Sequence, residues 1–399
     1  MAENIKHFPV NWIEGMKINK NHFIESQNNV EDLIRDARSI ETNELNYGLL
    51  STNLSRPFQY AISIDSHNEL SIDIKMLKAL TPGGGRIEIT DLTGAFSEKI
   101  ELKDFDLKEN NYYLLLNIDP YNRIPSGEQN MDEVPPRFPY ATAKYFFTTV
   151  VESDVNQNNI GALQFPIAKF KTSSDSYEIL TDYIPPSLTV NSHPSLIKLF
   201  ETYDLFFKQI EFNSVQIIKK IKFRSNNEDE NVISNMVLEA CNKTLSYVEN
   251  HITLNKWVSY NSKPITVLQN VISFARSLKN CFDTFSGDGK EMLFNYFSEW
   301  TDTKSGDFER LFTETINSRY RSFDIQETVE QVDHFMSKIE QLYSILNQLD
   351  YIGRKRDTGI FVNENVLKNE KTTASIFASE ADKGDKKPNN NSSPSFLAD

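Results

Sequence analysis

The spacing of apolar residues along this chain changes twice. Between residues 24 and 46, Val30, Leu33, Ile34, Ala37 and Ile40 recur at steps of three and four, which places one apolar stripe on a helix, with Gly48 as its expected stop. From Phe58 the period falls to two. Phe58, Tyr60, Ile62 and Ile64 alternate with small or polar residues, and after Ser66-His67-Asn68 the alternation resumes at Leu70, Ile72 and Ile74, the signature of a β-hairpin. Further strands are expected over 86–91, 95–102, 112–118, 145–151, 163–170 and 177–184. Many short strands with turn signals and no helix between them predict an antiparallel β-sandwich.

The second change comes after residue 190, where the pattern turns helical. Leu196, Leu199, Tyr203, Phe206 and Ile210 open a run that continues through Ile217 and Ile221 until Ser225-Asn226-Asn227. A second helix is expected over 230–251. A third starts near Pro264, a residue suited to a first turn, and carries Leu268, Val271, Phe274, Leu278 and Phe282. Shorter helices are expected over 288–301 and 306–319. In the last, Ile325, Val332, Phe335, Ile339, Leu342, Leu346 and Leu349 hold a heptad seam. That seam fits either the core of a single-chain bundle or a threefold axis shared with two identical chains. Phe200, Phe207 and Phe212 lie off the main stripe of the first of these helices, more apolar surface than one packed face needs.

The chain therefore reads as α+β by domain: an extended segment and helix over 1–50, a sandwich over 51–190, a helical bundle over 191–350 and a tail over 351–399. A small strand or turn is expected at Thr358-Gly359-Ile360-Phe361-Val362. From 371 onward, Lys, Asp, Ser, Asn and Pro without periodicity predict a disordered tail.

Composition narrows the functional classes. The 399 residues make two or three domains, and 27 Phe with 16 Tyr supply a real core. A net charge of -14 argues against a nucleic-acid partner, which needs clustered Lys and Arg. Cys241 and Cys281, both in helical stretches, outline neither a disulfide framework nor a thiolate metal site, and a reducing cytoplasm fits. No signal peptide is expected, and no apolar run here is long enough to span a bilayer.

Candidate chemistry is sparse. His7, His22, His67, His193, His251 and His334 stand one per element without ligand spacing, so no metal or cofactor is expected. The 56 acids make coincidental carboxylate pairs certain, and none stands out as an acid–base pair. No catalysis and no small-molecule substrate are expected. Gly83-Gly84-Gly85 lacks the Lys-Ser/Thr of a phosphate loop and reads as a hairpin turn. The stretch 119–140, with Pro120, Pro125, Pro135, Pro136 and Pro139, reads either as a partner-contacting arm or as a simple surface loop.

Three stretches are less generic. They are Trp12-Ile13-Glu14-Gly15-Met16 followed by His22-Phe23; Leu163 to Phe170; and Thr181-Asp182-Tyr183-Ile184-Pro185-Pro186-Ser187-Leu188 before His193-Pro194-Ser195-Leu196. In that order they resemble the TssK family of type VI secretion baseplate subunits. The paired prolines remove two backbone donors and favour extended conformation, so Tyr183, Pro185 and Pro186 read as a stiff hinge that ends the strands.

The resemblance implies a homotrimer whose β shoulder docks on the wedge subunits TssF and TssG, and whose helical neck points toward a membrane-anchored complex. It also implies a cytoplasmic protein recruited to the inner face of the envelope. The partner-binding positions it implies are Trp12, Glu14, Gly15, Met16, His22 and Phe23. Trp12, Met16 and Phe23 would be apolar anchors, Gly15 would permit close backbone approach, and Glu14 would accept from partner amides. The same residues could instead staple the leader to its own β domain, and His22 is expected to hydrogen-bond locally at the helix start. Longer family members add a β-rich head after the bundle. This chain is expected to be a short, Bacteroidetes-type form, contacting its membrane partner differently or through Ser375-Ile376-Phe377 or Ser395-Phe396-Leu397. A phage-like trimeric receptor- or glycan-binding protein is the alternative.

Overall fold

The hairpin expected around Ser66-His67-Asn68 is present and forms the spine of the first sheet. In the computed structural model, which describes residues 4–51, 58–102, 111–155, 160–173, 176–225 and 231–354, β2 (Gln59–Ile64) and β3 (Glu69–Leu80) flank a turn in which Asp65 Oδ1 accepts from the N–H groups of His67 and Glu69, each at 2.9 Å. Asn68 adopts φ 60°, a conformation that Asn tolerates better than most residues. The candidate strand at 358–362, the tail from 371 and the two candidate terminal contact segments lie outside the described residues.

Leu70, Ile72 and Ile74 of β3 face the core, and so do Leu77 and Ala79, although the spacing has slipped by one residue. The slip is a β-bulge. Gln59 pairs with Met76 while Tyr60 pairs with Ile74, which leaves Lys75 as the extra residue and restores the apolar side chains to one face. Around β3, the strands β1 (Gly48–Leu49), β4 (Arg86–Ile89) and β5 (Phe96–Glu101) pair antiparallel.

The second sheet is antiparallel in the order β7-β6-β8-β9, formed by β6 (Asn111–Ser126), β7 (Tyr140–Val151), β8 (Gln164–Ser173) and β9 (Ser176–Ile179). The stretch 119–140, read from sequence as an arm or a surface loop, begins as strand: after a bulge between Asp119 and Arg123, Pro125 pairs with Ala141 and Ser126 with Tyr140, and 127–139 connect the two strands. Pro120 and Pro125 concealed the strand. They are tolerated because β8 pairs with β6 only from Asn111 to Asn117, so the outer part of β6 has one free edge.

The two sheets close on one core in which Leu70, Ile72, Leu114, Leu116, Phe165 and Phe170 are all buried. This is the expected sandwich. β6 is dry on its other face too, where Tyr113 and Leu115 join Tyr183 and Phe323 in a smaller cluster.

The bundle comprises α2 (Pro194–Ser225), α3 (Val232–Val258), α4 (Pro264–Asp283), α5 (Gly289–Trp300), α6 (Ser305–Asn317) and α7 (Gln326–Gln348). Val332, Phe335, Ile339, Leu342 and Leu346 are buried and Leu349 is partly buried in one continuous core with Val271, Phe274 and Leu278 of α4. Of the two readings of the seam, closure within one chain is the one observed. Phe207 also points inward and stacks on Tyr247, and Phe200 packs against Tyr260, because α2 meets α3, α4 and α7 together. Of the three off-stripe phenylalanines only Phe212 is exposed, so the apolar surplus is smaller than the helical pattern implied. Cys241 and Cys281 are buried free thiols, and burial pushes them up to about 12 and about 11.

Where sandwich meets bundle, the stiff hinge expected at Tyr183, Pro185 and Pro186 proves to be a pinned crossing. All three residues are buried, Tyr183 OH donates to the Phe323 carbonyl at 2.7 Å, and the Pro186 carbonyl accepts from the Leu49 N–H at 2.7 Å. Gly48 belongs to this crossing and does not stop a helix: α1 (Lys20–Arg38) has already ended ten residues earlier with Ser39 as its C-cap. Gly48 has φ 123°, and a Cβ there would lie 2.0 Å from the Pro186 carbonyl oxygen. Gly48→Ala should therefore cost about 3 kcal/mol or more, from backbone strain plus overpacking, read as a lower urea midpoint with unchanged slope.

Candidate partner-docking surface

Asn19 caps α1. Its side chain accepts from the N–H groups of Asn21 at 2.9 Å and His22 at 3.3 Å, while His22 Nδ1 accepts from the Asn19 N–H at 3.3 Å. This is a capping box with histidine in the usual place of glutamate, and it matches the local role expected of His22.

The helix that follows sits with its faces reversed. Asn28, Asn29, Asp32 and Arg35 are the buried residues of α1, whereas Val30, Leu33 and Ile34 are 52%, 49% and 39% exposed. Ala37 is exposed as well, and Ile40, just past the helix, is 85% exposed. The apolar stripe read from sequence is real, but it faces outward. Two stripes compete on this helix, since Asn28, Asp32 and Arg35 also recur at steps of four and three, and the polar one finds partners that satisfy it.

Asp32 is the centre of that buried face. Its carboxylate accepts from the backbone N–H groups of Lys6 at 2.7 Å and His7 at 2.8 Å, from the Tyr121 hydroxyl, and lies 3.2 Å from His7 Nδ1. Burial alone would raise its pKa; the hydrogen bonds from Tyr121, His7 and Lys6 outweigh this and hold it at about 2. Arg35 Nη1 donates to Tyr121 OH at 2.7 Å and Nε to the Gly83 carbonyl at 3.2 Å, and Arg38 reaches the Gly84 carbonyl at 3.1 Å. Gly84, with φ 77°, brings the β3–β4 turn so close that a Cβ would stand 3.0 Å from the Arg35 carbonyl. The glycine run is thus a turn, as expected, and also a seat for α1. Arg123, at the β6 bulge, donates to Asn28 Oδ1 at 2.9 Å. The helix is fixed to the sandwich by hydrogen bonds on one side, which leaves its apolar side free.

The six residues implied by resemblance gather at the N-terminal end of this surface. Trp12 is 50% exposed and Phe23 58%; the Trp12 ring lies 5.9 Å from that of His22 and 6.4 Å from that of Phe23. Glu14 is exposed and Met16 half-buried. Gly15 has φ 78° within a turn closed by the Met16 N–H on the Ile13 carbonyl, with no other atom within 4 Å of its Cβ position. The turn geometry, and no close approach within the chain, explains this glycine. The leader is also tethered at Lys6 and His7 through Asp32. Tyr183, Pro185 and Pro186, and the α7 seam, lie elsewhere in the fold. What sequence reading missed is Asp32, Arg35 and Tyr121, whose partners are 25 to 89 residues apart in the chain.

Around the apolar stripe, Glu14, Glu25, Asp36 and Glu41 are exposed against Lys17 and Lys20. At the end of the β6–β7 ribbon, Met131, Val134 and Tyr140 add further exposed apolar surface. Among the described residues no group of three or more His, Cys, Asp and Glu is placed to hold a metal ion, and no helix is long and apolar enough to cross a membrane.

No family profile and no curated protein matches this sequence. Among solved structures it is similar to a crystal structure of TssK at 15% identity and TM-score 0.42, over 84% of this chain and 69% of that one. It is also similar to a chain of a type VI secretion baseplate complex at 12% identity and TM-score 0.49, over 85% and 99%. A TssK-TssF-TssG baseplate subcomplex contains a third similar chain, at 11% identity and TM-score 0.41, over 83% and 99%.

Because the folded Asp32 carboxyl sits near 2 and its ordinary value is 3.8, its contribution is complete above about pH 4 and disappears as pH falls toward 2. Asp32→Asn should flatten the acid limb of the stability profile by about 2 kcal/mol across that window, measured by urea unfolding at fixed ionic strength.

Proposed function

We propose that this chain is a TssK-like structural adaptor of a type VI secretion baseplate, and that the outward face of α1 with the Trp12–Phe23 leader is its docking surface for the wedge subunits TssF and TssG. The observation that carries this reading is the reversed helix. A surface helix normally turns its apolar stripe to the core; here a buried hydrogen-bond network holds it the other way, and the stripe continues into two half-exposed aromatic rings. An exposed apolar strip held on a rigid scaffold is what a protein partner covers. The three ordered motifs and the succession of sandwich and bundle support the family assignment.

In this reading the role is mechanical. Trp12, Met16 and Phe23 are apolar anchors, the turn at Gly15 presents Trp12, and Glu14 with the neighbouring acids favours a partner face rimmed by Lys or Arg. His22 holds the start of the helix that carries the anchors. The unit 1–50 docks, the unit 51–190 is the shoulder and the unit 191–350 the neck. Three copies associate along the neck through Leu205 and Phe212 of α2, which are exposed in the single chain. The assembly works in the cytoplasm at the inner face of the envelope, with a membrane-anchored complex as its distal partner.

A second reading, a phage-like glycan-binding protein, draws support from Phe138 and Tyr140 exposed together at the ribbon. A glycan array separates the two: binding that is lost in Tyr140→Ala would favour it over the adaptor.

Leu33→Glu should weaken binding to a TssF–TssG complex by roughly 30-fold, the equivalent of about 2 kcal/mol for a central apolar contact, with an unchanged unfolding midpoint. Binding is read by interferometry. In sedimentation, the wild-type chain should run as a trimer at micromolar concentration, and Phe212→Glu should shift it toward monomer.

A further inference from the structure

The sandwich and the bundle each own a large core, and two such bodies joined by chain crossings would by default move relative to one another. Their contact instead sets a buried polar cluster beside the small apolar one of Tyr113, Leu115, Tyr183 and Phe323. Lys169 on β8 reaches Glu152, just after β7, at 2.6 Å and Asp324, just before α7, at 2.7 Å, so one ammonium ties a carboxylate of the sandwich to a carboxylate of the bundle. Tyr113 OH donates to Asp324 at 2.6 Å, and Asn111 donates to Glu152 at 2.6 Å. The Tyr113 ring meets Phe323 edge-on at 5.8 Å and lies 5.1 Å beneath the ammonium. Lys169 and Asp324 are 13% and 10% exposed, which removes most solvent screening from the pair.

An apolar contact of this size would tolerate small rotations, because dispersion has little directionality. A nearly dry ammonium between two carboxylates does not. Its bonds fit one arrangement, and a tilt between the bodies opens the charge-assisted bond to Asp324, the more buried of the two carboxylates. Removing the cation would leave Glu152 and Asp324 facing each other and push the segment before α7 away from the sheet.

We propose that Lys169 is a latch that makes the sandwich and the bundle one rigid lever, and that releasing it lets the two bodies move and unfold separately. In differential scanning calorimetry of the full chain, the wild type should show one transition, with helical ellipticity at 222 nm and exchange of β6 amides lost together. Lys169→Met should resolve two transitions separated by more than about 5 °C, because each half then melts at its own temperature. Lys171→Met, on the same strand as Lys169, breaks only the exposed pair with Glu178 of β9 and should keep the single transition. Should Lys169→Met fail to fold, Asp324→Asn, which keeps the shape of the bundle's side of the pair but removes its charge, should lower the temperature at which the β6 amides exchange relative to helix loss. Two transitions in the wild type would overturn the latch, as would a single transition within 2 °C of it in Lys169→Met. For a chain in which Lys169→Met does not fold, coincident loss in Asp324→Asn would do the same.

Discussion

Strand β6 has no wet face along its inner half. Tyr112, Leu114, Leu116 and Ile118 fill the sandwich, while Tyr113 and Leu115 on the opposite side receive Phe323 and Tyr183. A strand buried on both sides must be apolar at successive positions, and NYYLLLNI meets that demand at the expense of the alternation seen in β2 and β3. The demand reaches further. Because Tyr113 is buried, its hydroxyl needs partners, and it finds them in Asp324 and Glu152, which in turn need Lys169. The junction between the two halves of the molecule follows from the requirement that one strand be dry on both sides.

The same economy of satisfied polar groups places α1. Nothing apolar recommends the face that α1 buries; it is held because Asp32, Arg35 and Asn28 each find hydrogen-bond partners on the sandwich or the leader. Those interactions are directional, so they set the helix's rotation about its own axis, and the outward position of Leu33 and Ile34 is a consequence. A helix seated by dispersion would have turned the other way.

This separates what could be read in the sequence from what could not. The β2–β3 hairpin, the start of α4 at Pro264 and the heptad of α7 were legible because their signals are local: alternation, a proline at a first turn, a repeat of seven. The outer part of β6 was hidden by Pro125, since a proline argues against a strand unless it is known that the strand is at an edge there. The orientation of α1 was hidden for a deeper reason. Periodicity identifies stripes but is silent on which of two stripes faces in, and the partners that decide it, Tyr121 and Gly83 among them, are distant in sequence. Trp12 and Phe23 were singled out by their unusual context, and they do lie together; the network that holds them in place carried no local signal.

The two cysteines have a practical corollary. Both thiols are buried in the bundle, on α3 and α4, and burial holds them protonated well above the range of an ordinary thiol. Electrophilic dyes, spin labels and cross-linkers attack thiolates that they can reach, so the native pair should be silent toward such reagents. A single cysteine introduced on the exposed side of α1 or at the ribbon tip would then be the dominant reactive sulfur, and distances across the molecule become measurable without first stripping the core of its own sulfur atoms.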